Sequence, residues 1–168
     1  DGTYVNEVSP ENFMKPLLPM IMLSPMDIGK LYDVRKAIEC GAVESAAINR
    51  SEEDIEILLS CQKMMKTHFD NYSEISKKEY AKADREFHIA IINASNNIYY
   101  SQIFDAIYNV LVSGIEKTSR MNKGRDASIT EHSKIIDAII NKEDKLAKEY
   151  MSEHLENAKK FYLEHITQ

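Results

Sequence analysis

Apolar residues recur every three to four positions along most of this chain of 168 residues, and that period limits its fold more than any other feature. Such a period places the apolar side chains on one face of an α-helix, whereas a half-buried strand would require strict alternation. The connections between periodic segments are short, and the sequence contains no internal repeat or low-complexity run. It therefore predicts an all-α fold, an antiparallel bundle of about six to seven helices.

Capping residues mark where these helices begin and end. Ser51 precedes three acidic residues, which favours a helix start, and Asn96 can adopt the left-handed conformation that ends a helix. The period and the caps predict a helix from Ser24 to about residue 49 and others over about residues 11–18, 52–70, 77–94, 97–120, 128–141 and 144–165. The helix over 97–120 is the most apolar, so we expect it to be central or to lie in a dimer interface. Residues 121–126 are predicted to form a loop.

The composition argues against several classes of function. The formal net charge is −6 and the pI about 5.4, so the chain by itself is a poor binder of nucleic acid, whose phosphates attract basic patches. No apolar run reaches the roughly 18 residues of a transmembrane helix, so no membrane span is expected. Cys40 and Cys61 are far apart in sequence and predict neither a disulfide scaffold nor a thiolate metal site. They fit a reducing cytoplasm.

Polar residues interrupt the apolar faces of three predicted helices. Asp84 and His88 lie four residues apart and therefore share one helix face, while His132 and His154 lie at the centre of the apolar faces of the last two helices. An unpaired ionised carboxylate in a core is costly, so these groups need partners. Neutral imidazoles and a carboxylate are suitable ligands for zinc, nickel, manganese or iron. The set predicts a shared metal site, and separately hydrogen-bonded core histidines are the alternative.

Arg35 also lies in the middle of an apolar face, with Glu39 one turn later. One interpretation is an internal ion pair between the two, with the Arg35 guanidinium reaching outward. The other is that Arg35 faces a cavity and binds an anion, because the guanidinium fork matches a carboxylate. Glu86 and Glu131 flank the predicted metal ligands in sequence and are predicted to point away from the cavity.

Six segments, in the order in which they occur, carry a resemblance to a known family. They are Leu31–Glu39, Glu44–Ala47, Asp84–His88, Ala94–Asn97, Glu131–Ile139 and Met151–Leu155. Together they resemble the C-terminal effector-binding domain, or FCD domain, of GntR-family transcriptional regulators of the FadR subfamily. The resemblance covers nearly the whole chain, and it rests on the combination rather than on any one segment. Asn96 departs from the glycine that is usual there, which concerns only a helix end.

The resemblance implies a site and a ligand class. A divalent metal, zinc in the first place and nickel or manganese otherwise, would be bound by Asp84, His88, His132 and His154 inside the bundle. A small organic acid would lie in the adjacent cavity and contact the metal and Arg35. Relatives that respond to acyl-CoA lack the full metal set, so its presence here favours a small carboxylate as the effector.

The resemblance also implies how the chain is organised. Residues 9–168 would form the FCD domain, and residues 1–8 would be a remnant of the wing and linker of an upstream winged helix-turn-helix domain. The chain is then expected to be a fragment that forms homodimers in the cytoplasm and reaches operator DNA only through that absent domain. It would be a sensor rather than an enzyme. The alternatives are a metal-dependent enzyme acting on a small organic acid, and a purely structural dimerising bundle.

Overall fold

The computed structural model describes residues 28–69, 73–104 and 125–166, and every regular element in these ranges is helical. The helices are α1 (Ile28–Asn49), α2 (Glu52–Phe69), α3 (Glu74–Ala94), α4 (from residue 98, described to 104), α5 (Arg125–Ile140) and α6 (Asp144–Ile166). The predicted all-α fold is confirmed for this part of the chain. The predicted helix over 11–18, the predicted domain boundary at residue 9 and most of the predicted helix over 97–120 lie outside it.

The apolar faces of five helices meet in one core. α1 packs against α3, α5 and α6, α2 packs against α3 and α5, and α5 packs against α6. Fully buried side chains from all five helices fill the centre, among them Val43, Leu58, Phe87, Ile135 and Met151. None of the described helices is long and apolar enough to cross a membrane.

Polar contacts fix the ends of several helices. Ser51 and Asp54 form a reciprocal cap at the start of α2: the Asp54 backbone N–H donates to Ser51 Oγ at 3.1 Å, and the Ser51 N–H donates to Asp54 Oδ2 at 2.8 Å. Asn96 has φ 55° just after α3, which confirms its predicted left-handed conformation. Arg50 donates to the carbonyls of Ile139 and Ile140 at the end of α5, and so joins α1 to that helix.

The predicted role of Ser51 as the cap of α2 can be tested by substitution. Replacing Ser51 with Ala removes the acceptor for the Asp54 N–H, and we expect a loss of about 1 kcal/mol in the free energy of unfolding. For a domain of this size that corresponds to a decrease in Tm of about 2–4 °C in a calorimetric scan. Ser60→Ala, at an exposed position inside the same helix, is the matched control and should not lower the Tm. Equal losses in both variants would contradict the capping role.

Several sequence-based predictions were wrong in detail. α3 begins at Glu74 rather than residue 77, because Ser73 Oγ accepts the Ser76 N–H and caps the helix. α5 begins at Arg125, so the predicted loop over 121–126 is wrong at its last two residues. The period assigns Leu59 to the buried face of α2, yet its side chain is 44% exposed.

Only the start of α4 lies within the described residues, so the expectation that this helix is central or lies in a dimer interface stays a prediction. Phe104 is buried, whereas Ile98, Tyr99 and Ile103 are exposed on this chain. Tyr100 instead lies against α1: a Cβ added at Gly41 would come within 2.6 Å of its hydroxyl oxygen. The close approach of α4 to α1 therefore depends on the absence of a side chain at Gly41.

Candidate metal centre

Three histidines from three different helices converge in the core. Each of His88 on α3, His132 on α5 and His154 on α6 offers a ring nitrogen within 4.8 Å of those of the other two. His132 Nε2 lies 3.2 Å from His154 Nε2, which in turn lies 3.4 Å from His88 Nε2. All three side chains are buried. Their position follows from the sequence, since each interrupts the apolar face of its own helix.

Asp84 lies one turn before His88, beside this cluster. Its Oδ1 atom is 3.8 Å from His132 Nε2, and the residue is buried. The carboxylate is therefore close to His132, and the ligand atoms that lie within 4.8 Å of one another are those of the three histidines without Asp84. Its predicted role as a fourth metal ligand stays a prediction.

A buried ion pair from α1 orients His88. The His88 Nδ1 atom lies 2.5 Å from Glu39 Oε2, while the other oxygen of Glu39 accepts a hydrogen bond from Arg35 Nε. An ionised carboxylate can only accept, so the Nδ1 atom of His88 carries the proton and donates it to Glu39. In a neutral imidazole this leaves a lone pair on Nε2, the atom that faces the other histidines.

Glu131 orients His154 in the same way. The His154 Nδ1 atom lies 2.7 Å from Glu131 Oε2, and Glu131 Oε1 accepts a hydrogen bond from Asn157 Nδ2 at 2.7 Å. The Nε2 lone pair of His154 is therefore also directed into the cluster. Glu131 was predicted to point away from the cavity, and it contacts His154 on the side of the ring opposite the cluster; this contact was not predicted. Glu86 is exposed.

His132 differs from the other two histidines. Its ring stacks on Phe87 with centroids 4.0 Å apart, and its Nδ1 atom has no hydrogen-bond partner among the described residues. Its Nε2 atom faces both His154 Nε2 and Asp84 Oδ1. Stacking, rather than a carboxylate, therefore fixes the orientation of this ring.

Burial and local charge keep two of these rings neutral. Burial lowers the pKa of His88 against the opposing attraction of Glu39, and burial together with the neighbouring His154 and His88 holds the pKa of His132 well below its usual value. Burial alone would raise the pKa of Glu39, but the charge of Arg35 and the hydrogen bonds from His88 and Arg35 lower it to about 2. The cluster thus contains neutral imidazoles beside an ionised carboxylate.

This arrangement fits a metal ion better than three isolated core histidines. When both rings are neutral, as metal ligands must be, lone pairs on His88 Nε2 and His154 Nε2 face each other, and one N–H of His132 cannot satisfy both acceptors. A cation shared by the three nitrogens resolves that conflict, and histidine ligands commonly donate their second ring nitrogen to a carboxylate, as His88 and His154 do here. The residues present can therefore hold a metal ion.

Arg35 is confirmed as part of a buried ion pair with Glu39, and it does not reach outward, since its side chain is only 3% exposed. The ion pair uses Nε, and a guanidinium carries four further N–H donors on its two Nη atoms. Binding of an anion by Arg35 is therefore compatible with the ion pair and stays a prediction, as does a cavity for an effector.

Comparisons with known proteins match this chain to one domain family and to regulators of transcription. A family model described as the FCD domain matches residues 30–157. YcbG, an HTH-type transcriptional regulator of Bacillus subtilis (strain 168), is 29% identical over 155 residues, which are 92% of this chain and 61% of that protein. LutR, an HTH-type transcriptional regulator of the same strain, is 26% identical over 162 residues, 94% of this chain and 72% of that protein.

A third relative is also a regulator of transcription, and two solved structures have a similar fold. The Glc operon transcriptional activator of Escherichia coli (strain K12) is 24% identical over 149 residues, 86% of this chain and 59% of that protein. The structure of E. coli McbR/YncC superposes with a TM-score of 0.72 at 14% identity and covers 85% of this chain and 71% of that one. The Listeria monocytogenes protein Lar gives a TM-score of 0.67 at 16% identity, with 94% and 66% coverage. At these identities the two structures show the shared fold.

Proposed function

Because the chain belongs to the FCD domain family, we propose that it is the sensory part of a DNA-binding transcriptional regulator of the GntR family and responds to a small carboxylic acid through a bound metal ion. The observation that carries the proposal is the convergence of three histidine nitrogens in the core. The proteins with which the chain aligns are regulators of transcription, so the chain is a regulatory domain rather than an enzyme.

His88, His132, His154 and Asp84 would hold the metal. Three imidazole nitrogens and one carboxylate suit zinc first, with nickel or manganese as alternatives. When bound, the ion would supply open coordination positions for the carboxylate and hydroxyl oxygens of an effector. The neutral rings of His88 and His132 favour this role, because a histidine must be unprotonated at the nitrogen that binds the metal.

Arg35 would bind the carboxylate of the effector. Its Nε atom is held by Glu39, so the orientation of the guanidinium is already fixed before a ligand arrives. The Nη atoms then have the planar fork that matches a carboxylate. Glu39 already pairs with Arg35 in the free domain, so the positive charge that favours a small anion as the occupant would come from the metal ion, while the Nη atoms would supply hydrogen bonds.

The site can influence distant parts of the protein because its residues come from four helices. Arg35 and Glu39 lie on α1, the other residues of the site lie on α3, α5 and α6, and α1 packs against each of these three helices. A ligand that contacts several of them selects one packing of the bundle, provided that it binds that packing more tightly than the alternatives.

The effect on DNA would require more chain than is present here. The chain spans 61% of the length of YcbG and 59% of that of the Glc operon activator, so these relatives contain further segments. We place operator binding in a winged helix-turn-helix domain before this one, in a cytoplasmic homodimer. Effector binding would change the relative placement of the two DNA-binding domains and with it the affinity for operator DNA.

Ligand-induced stabilisation tests the role of Arg35. Metal-loaded protein is screened by thermal shift against small carboxylic and 2-hydroxycarboxylic acids, and at least one acid is expected to raise the Tm. Arg35→Lys keeps the positive charge but loses the bidentate fork, so the same acid at the same concentration should give a much smaller shift. A shift that is equal in both proteins would contradict carboxylate binding by Arg35.

A further inference from the structure

Glu39 and Glu131 make the same contact to a histidine but have different second partners. Glu39 Oε2 accepts from His88 while its other oxygen accepts from Arg35. Glu131 Oε2 accepts from His154 while its other oxygen accepts from Asn157. Arg35 can only donate hydrogen bonds, whereas the amide of Asn157 can donate or accept according to its orientation. A residue substituted for Glu39 must therefore accept hydrogen bonds at both positions, whereas one substituted for Glu131 can accept at one position and donate at the other.

We propose that Glu39 is a positioning residue that ties Arg35 to His88, so that the arginine and the metal ligand hold each other in place. This inference rests on the proposed metal site and adds a specific connection to it. Glu39 is 1% exposed and lies 49 positions before His88 in the chain, so the contact exists only because α1 packs against α3. Both of its oxygens are used, and each partner is a donor.

The hydrogen bond from His88 to Glu39 sets which ring nitrogen is available. With the proton held on Nδ1, the lone pair of His88 lies on Nε2 and faces His154 Nε2 at 3.4 Å. Without a good acceptor at position 39, the proton can move to Nε2, and the ring then presents a donor to the cluster instead of a ligand. Loss of such supporting contacts typically weakens metal binding by about 10- to 100-fold.

Glutamine distinguishes the two carboxylates. Arg35 and His88 donate to different oxygens of Glu39, so a glutamine at position 39 would turn its NH2 group, itself a donor, toward one of the two. A glutamine at position 131 can accept from His154 while its NH2 group donates to Asn157, after the Asn157 amide turns over. The same substitution should therefore disturb the histidine on α3 and leave the histidine on α6 oriented.

The first experiment measures zinc affinity by competition with a chromophoric chelator. Glu39→Gln is expected to bind zinc about 10- to 100-fold more weakly than the unsubstituted chain, and Glu131→Gln should lose less than about tenfold. The ring nitrogens of His88 and His154 in metal-free protein are followed in parallel by ¹⁵N NMR, which reports the protonated nitrogen directly. In E39Q only the His88 signals should change from the Nδ1–H form.

A double variant distinguishes a positioning role of Glu39 from an effect of E39Q on folding or on buried charge. In R35M/E39Q the glutamine no longer has to accept from Arg35, so its carbonyl oxygen is available to His88. We expect the Nδ1–H form of His88 to return, and zinc affinity to recover from its value in E39Q. This readout remains valid where E39Q alone is poorly folded, because the double variant leaves no unpaired buried charge.

Two outcomes would overturn the role of Glu39 alone, and a third would overturn the metal site as well. Unchanged zinc affinity and an unchanged His88 tautomer in E39Q, beside normal zinc binding by the unsubstituted chain, would overturn the role of Glu39 and leave the metal site standing. Equal losses in E39Q and E131Q, with no recovery of the tautomer in R35M/E39Q, would also overturn it. A failure of the unsubstituted chain to bind zinc, nickel or manganese would overturn the proposed metal site and the role of Glu39 with it.

Discussion

Metal-free protein is expected to gain about 8–16 °C in Tm when zinc is added at about a thousand times its dissociation constant. Binding to the folded state alone stabilises by about 4 kcal/mol at that excess, and each kcal/mol raises the Tm of a domain of this size by about 2–4 °C. The physical reason is that three nitrogens from α3, α5 and α6 are brought within 4.8 Å of one another only in the folded chain. Differential scanning calorimetry with and without zinc measures the shift.

Histidine variants show whether the shift arises at the proposed site. The variant with both His132→Ala and His154→Ala should show no zinc-dependent gain in Tm. His68→Ala is the matched control, since His68 is a half-buried histidine at the end of α2 that contacts Ser76 rather than the cluster. A zinc-dependent gain that survives in the double variant, or disappears in H68A, would contradict the assignment.

Arg35→Met is expected to lower the free energy of unfolding by about 3–5 kcal/mol, because it leaves the carboxylate of Glu39 buried without its charged partner. Burial of that carboxylate is tolerated in the native chain only through Arg35 and the hydrogen bond from His88. Urea denaturation of metal-free protein, followed by circular dichroism, measures the change without interference from metal binding.

Two further variants separate the loss of a partner from the loss of a side chain. The R35M/E39Q variant removes both charges and should recover most of the lost stability, since buried ion pairs replaced as a unit cost little. Lys82→Met breaks a pair of the same spacing, Lys82 with Glu86, on the exposed face of α3 and should change stability little. Additive losses from R35M and E39Q in the double variant would contradict the buried pair.

The period of the sequence predicts most of the described fold because the information is local. Within one helix, spacing alone places Asp84 and His88 on the same face and His132 and His154 among apolar residues, and the structure buries all four. The period says less about Ile98 and Tyr99, which are apolar but exposed. An apolar helix face predicts that another surface packs on it, but the pattern does not identify that surface.

The supporting contacts of the site were harder to predict because they cross between helices. Glu39 was recognised as the partner of Arg35, one turn away, but its bond to His88 depends on the packing of α1 against α3. Glu131 precedes His132 by one residue and so faces a different direction from it, toward α6 and His154. No signal within α5 identifies that partner, and only the packing of α5 against α6 does.

The convergence of His88, His132 and His154 on one metal ion is tested most directly by metal content. Tag-free protein that has never been exposed to a nickel column is analysed by mass spectrometry beside the variant with His132→Ala and His154→Ala. Near-stoichiometric metal in the parent and little in the variant is the predicted result. A parent that carries no metal, and takes up none from added zinc, nickel or manganese, would contradict the metal-dependent sensor and leave the three histidines as core residues or direct contacts of a ligand.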